Sequence, residues 1–88
     1  MLTEVEIKDK IVKALSEEFE LDPERLQPEA TLYEDLGFDS LDAVDMVVVL
    51  EKTFGVKLSD EEAVRSVRTV EDIMNLVIRL HKEYSEKN

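Results

Sequence analysis

Apolar residues recur at helical spacing along most of this 88-residue chain, and polar residues that suit helix starts stand in front of each run. Thr3 followed by Glu6 has the form of a capping box, in which each side chain accepts from the other residue's backbone N–H. Ile7, Ile11, Ala14, Leu15 and Phe19 then give one apolar face, so a first helix is expected to about Glu20, before the turn signal Asp22-Pro23. A second helix is expected from about Ser40 to Phe54, with Asp39 as its N-cap and Gly55 as its left-handed stop. Ser59 with Glu62 marks the start of a short third helix whose apolar residues are Ala63, Val64 and Val67. Thr69 with Asp72 marks a fourth, which carries Val70, Ile73, Met74, Val77, Leu80 and Tyr84 on one side.

The connection from Asp22 to Phe38 is long, and loops of that length in a compact domain are usually functional. Leu26, Leu32, Tyr33 and Leu36 can plug into the core, and Thr31 with Glu34 can cap a single turn. Val47-Val48-Val49 has β propensity, but the caps and the flanking period favour helix. The fold class read from this pattern is all-α: one domain over 1–88, a small four-helix bundle with three long helices, one short helix and a long first loop.

The second helix is too apolar for one face. Met46, Val47, Leu50 and Phe54 suit a core side, while Leu41, Val44 and Val48 form a second stripe flanked by Asp42, Asp45 and Glu51. An exposed apolar ridge with carboxylates at its rim has the make-up of a protein interface. A helix buried on more than one side of a bundle would show the same pattern.

Charge sharpens the picture. With 22 acids against 11 Lys and Arg, the formal net charge is −11. Such a surface repels nucleic acid and anionic membranes and favours basic patches on proteins. Between Lys13 and Lys52 the sole basic residue is Arg25. The longest apolar run, Met46 to Leu50, is too short to span a bilayer, and the N-terminal residues lack the form of a signal peptide, so membrane insertion and export are not expected.

Candidate chemistry is sparse. The chain has no Cys, which excludes disulfides and thiolate metal sites, and Asp35, Asp39 and Asp42 lack calcium-loop spacing, so no metal is expected. Its one histidine, His81, falls on the last helix and is read as solvated. No catalytic residue is assigned. Ser40 stands at a helix start, where unpaired backbone N–H groups and the helix dipole suit a phosphate or phosphodiester. It has no base near it in sequence, and a hydroxyl does not attack without one. Simple capping is the ordinary role of such a serine, but Asp39 already serves as the cap, so the Ser40 hydroxyl is spare.

Asp35-Leu36-Gly37-Phe38-Asp39-Ser40-Leu41-Asp42-Ala43-Val44-Asp45 resembles the phosphopantetheine-attachment signature of acyl carrier proteins. Gly55 to Ala63 is similar to that family's loop into its third helix, and Thr69-Val70-Glu71-Asp72 to the start of its fourth, so the resemblance covers nearly the whole chain. It implies that Ser40, set between Asp39 and Leu41, receives 4′-phosphopantetheine from coenzyme A by a separate phosphopantetheinyl transferase, and that the arm's thiol carries acyl groups as thioesters. Acyl-transfer and chain-elongation enzymes with basic docking patches would meet Leu41, Asp42, Val44, Asp45, Val48 and Glu51. Met46, Leu50, Leu58 and Ala63 match positions that line the family's acyl pocket.

The resemblance further implies a monomeric, cytoplasmic carrier that is no enzyme and serves fatty-acid or related lipid or polyketide synthesis. An aminoacyl or peptidyl carrier would use the same serine, and an acidic interaction module would leave it unmodified. Lys52, Asp45 and the locally basic Arg65 and Arg68 depart from the common pattern.

Overall fold

The computed structural model describes residues 2–58 and 62–87. Three α-helices, α1 (Glu4–Glu18), α2 (Ser40–Phe54) and α3 (Val70–Lys87), are joined by segments that hold two 3₁₀ turns, Pro23–Arg25 and Glu62–Ser66. Helices are the regular elements among the described residues, with one isolated bridge between Thr31 and Thr69 and no strand. The short third helix expected from sequence is the 3₁₀ turn at 62–66, and its anticipated Ser59 cap lies outside the described residues. A 3₁₀ turn places side chains three apart on one side. Val64 and Val67 use that spacing to face inward together, half-buried and buried respectively, with Val67 N donating to Val64 O at 3.2 Å.

Local chemistry sets the helix ends. Thr3 and Glu6 form the capping box at the start of α1. That helix stops at Glu18, short of the expected Glu20, because Glu20 itself turns left-handed at φ 52°. Leu21 N then reaches back to Ser16 O at 3.0 Å, closing a Schellman-type end with glutamate where glycine is usual. The end of α2 follows the rule, with Gly55 at φ 67°. Thr69 and Asp72 exchange backbone-to-side-chain bonds of 3.1 Å at the start of α3.

The core is made by Ile7, Ile11 and Leu15 of α1, Met46 and Leu50 of α2, and Val70, Ile73, Met74, Val77 and Leu80 of α3. Each such side chain contributes about 1.5–3 kcal/mol when taken out of water. The long first loop adds Leu26, Ala30, Leu32, Leu36 and Phe38 to this core. Tyr33, expected to plug in with them, instead keeps half its surface exposed, because its neighbours Leu32 and Leu36 take the inward positions. Thr31 caps the following turn with Asp35 and not Glu34: Thr31 N donates to Asp35 Oδ2 at 2.8 Å, and Asp35 N to Thr31 Oγ1 at 3.1 Å.

The loop is stitched to the start of α3. Leu32 N donates to Arg68 O, Val70 N to Ala30 O and Glu71 N to Pro28 O, at 2.9, 3.0 and 2.8 Å. His81 is half-buried, not solvated, because its Nε2 accepts from Leu2 N at 3.2 Å and so holds the N-terminal residues against α3.

Candidate functional site at the start of α2

The loop delivers the chain to α2 through Leu36, Gly37 and Phe38. Leu36 and Phe38 are buried, and Gly37 takes φ 72°, a conformation with little steric cost for glycine alone. Phe38 packs on Phe19 at a ring separation of 4.6 Å. Two residues on, Ser40 is the first residue of α2 and is exposed.

Asp39 and Asp42 form a reciprocal cap around it. Asp42 N donates to Asp39 Oδ1 at 2.9 Å, Asp39 N to Asp42 Oδ2 at 3.1 Å, and Ala43 N to Asp39 O at 3.1 Å. The N–H groups of Ser40 and Leu41 have no acceptor among the described residues, and the Ser40 hydroxyl has no partner there. Two open donors beside a free hydroxyl at the positive end of a helix suit the oxygens of a phosphodiester bonded to that hydroxyl.

Beyond Ser40 the surface of α2 divides. Leu41, Val44 and Val48 are 76, 61 and 41 % exposed, so the second apolar stripe is a surface ridge and not a second buried face. Asp45 beside it is exposed and Asp42 half-buried. Glu51 is turned elsewhere: its Oε2 accepts from Leu58 N at 2.8 Å, which ties the end of α2 to the following loop.

The face of α2 that leads from Ser40 at i+3, i+4, i+7 and i+8 carries Ala43, Val44, Val47 and Val48. These residues form one wall of a groove of about 380 Å³; Leu32, Tyr33, Met46 and Val67 also line it, and Arg65 and Arg68 stand on its far side. Of the residues matched to an acyl pocket from sequence, Met46 lines this groove. Leu50 and Leu58 lie sealed in the core, and Ala63 is exposed on a different, shallower groove with Leu76 and Asn75. The spacing from Ser40 along α2 was the signal that could have found Ala43 and Val47. The opposite wall, made by residues distant in sequence, had no local signal.

Residues 9–77 match the family model described as phosphopantetheine attachment site, and Ser40 falls within that span. The chain belongs to the acyl carrier protein family. It is 38% identical over 76 residues to an acyl carrier protein of Thermosynechococcus vestitus, covering 86% of this chain and 93% of the relative. To acyl carrier protein 2 of Ralstonia nicotianae it is 43% identical over 76 residues, with the same coverage. The crystal structure of an acyl carrier protein from Thermotoga maritima superposes with a TM-score of 0.76 at 32% identity, covering 92% of this chain and 93% of that one. The carrier role in acyl biosynthesis and the covalent cofactor, 4′-phosphopantetheine, come with that membership.

No helix among the described residues is long and apolar enough to cross a membrane.

Proposed function

We propose that Ser40 is the residue that bears 4′-phosphopantetheine, and that this chain acts as one 1–88 unit, a cytoplasmic monomer that presents acyl groups to other enzymes and catalyses nothing itself. The observation that carries the reading is the pairing at the start of α2. Asp39 and Asp42 satisfy each other's backbone, leaving a free serine hydroxyl next to the open N–H groups of Ser40 and Leu41. Once bound, the arm supplies the thiol that a chain without cysteine lacks. The residues' own tasks are to fix the hydroxyl at an exposed helix start and to offer donors to the phosphodiester oxygens.

Asp39 and Asp42 each have one carboxylate oxygen tied up in the cap, so the base that takes the Ser40 Oγ proton is assigned to the modifying enzyme. That enzyme and the later acyl-transfer and elongation enzymes dock on Leu41, Val44 and Val48, with Asp42 and Asp45 meeting their cations. Exposure of all three apolar side chains supports this. Glu51, held by Leu58 N, serves to shape the groove more than to meet partners.

Incubation with coenzyme A, magnesium and a broad-specificity phosphopantetheinyl transferase, followed by intact mass measurement, tests the assignment. A gain of one phosphopantetheinyl unit is expected on the wild type and none on Ser40→Ala. A gain that persists in Ser40→Ala would move the site elsewhere.

A further inference from the structure

Two cations stand at the groove of a protein with 22 acids and 11 Lys and Arg. The floor of the groove is apolar, with Leu32, Met46, Val47 and Val67. Arg65 and Arg68 line its far side. Arg68 is held in place: its Nη1 donates to Arg65 O at 3.1 Å and to Val67 O at 3.0 Å. That leaves its Nε and Nη2 edge, and the whole Arg65 guanidinium, without an acceptor among the described residues. Such an edge offers two parallel N–H donors with the spacing of a carboxylate's oxygens.

Glu51 also lines the groove, and it and Asp72 each have one carboxylate oxygen engaged by backbone N–H groups. Asp72 Oδ2 accepts from Arg68 N and Thr69 N, and Glu51 Oε2 from Leu58 N. The groove therefore combines a hydrocarbon floor with a fixed, open cationic edge. Ala43 and Val44, one turn from Ser40, form its near end.

Resting on the assignment of Ser40 as the attachment point, we infer that the groove selects acyl groups that end in a carboxylate: the methylene chain lies on Met46, Val47 and Val67, and the terminal carboxylate meets Arg68 and Arg65. A methyl-ended chain gains only the floor. A carboxylate-ended chain of equal length gains the floor and a charge-assisted pair.

The test compares the same carrier loaded through Ser40 with hexanoyl or with adipoyl pantetheine, each delivered from its coenzyme A thioester by the transferase and verified by intact mass. Failure to gain mass speaks against the Ser40 assignment alone. With both forms loaded, the adipoyl form is expected to melt roughly 2–4 °C above the hexanoyl form at low salt. That difference should vanish in Arg68→Gln, shrink in Arg65→Gln, and fade in about 1 M salt. Without the arginine contact, one more negative charge on this acidic molecule lowers the melting point, so an adipoyl form equal to or below the hexanoyl form overturns the inference. In heteronuclear spectra the Arg68 Nε–H signal should move on adipoyl loading and stay in place on hexanoyl loading; equal movement with both cargoes would also overturn it.

Discussion

The rings of Phe19 and Phe38 meet at 4.6 Å with their planes inclined by 40°. This contact ties the C-cap residue of α1 to the residue two before Ser40, so the placement of the serine depends on a helix end that is remote from it in sequence. Phe38→Ala should cost about 3 kcal/mol in urea unfolding, since it empties a buried aromatic site, and Phe38→Leu markedly less. At temperatures where both variants stay folded, phosphopantetheine loading of the alanine variant should be the slower.

Asp45 offers a test of the electrostatic part of the proposed docking. Unlike Asp42, it is exposed and takes no part in the cap of α2. Asp45→Lys should leave the melting temperature nearly unchanged and slow phosphopantetheine transfer at low salt, because charge reversal at an interface rim acts mainly on the association rate. Raising the salt should close the gap with the wild type, as read by initial rates across an ionic-strength series.

The caps predict the response to acid. Backbone N–H donation from Arg68 and Thr69 lowers the pKa of Asp72 below its ordinary 3.8. Donation from Thr31 does the same for Asp35, and from Thr3 for Glu6. A carboxylate with a depressed folded pKa binds its proton more readily in the unfolded chain, so its contribution is complete above the ordinary value and is lost as pH falls through the folded one. Asp72→Ala should cost about 0.5–1 kcal/mol at pH 7, a modest figure because solvent screens this carboxylate. The cost should hold to about pH 5 and shrink below about pH 4, measured by urea midpoints of both proteins at each pH.

Glu20 offers a gain. It holds φ 52° at the end of α1, where a side chain is disfavoured. Glu20→Gly should raise stability by about 0.5–1 kcal/mol, the relief of left-handed strain outweighing the added freedom of the unfolded chain. Differential scanning calorimetry should show a higher melting temperature; a decrease would mean that Glu20 makes a compensating contribution.

Much of this was legible in the sequence because it is local. Thr3 with Glu6, Asp39 before Ser40, Gly55, and Thr69 with Asp72 act within one turn, and each behaves as its residue type dictates. The exposed stripe of Leu41, Val44 and Val48 could be drawn from spacing, but its exposure depended on which elements pack against α2. What escaped was set by closure of the chain. His81 meets Leu2, Glu51 turns to Leu58, and Tyr33 yields its inward place to Leu32 and Leu36. The expected short helix became a 3₁₀ turn because five residues are too few to repay helix nucleation.

The bonds that join Ala30, Leu32 and Pro28 to Val70, Arg68 and Glu71, at and just before the start of α3, link stretches on opposite sides of α2 in sequence. Such contacts close late, after their loop entropy has been met. The serine's surroundings are therefore completed by a stretch synthesised after it. A nascent or truncated carrier would display the Asp-Ser-Leu letters without the shape, and a modifying enzyme that reads the shape would load finished molecules and pass over the rest.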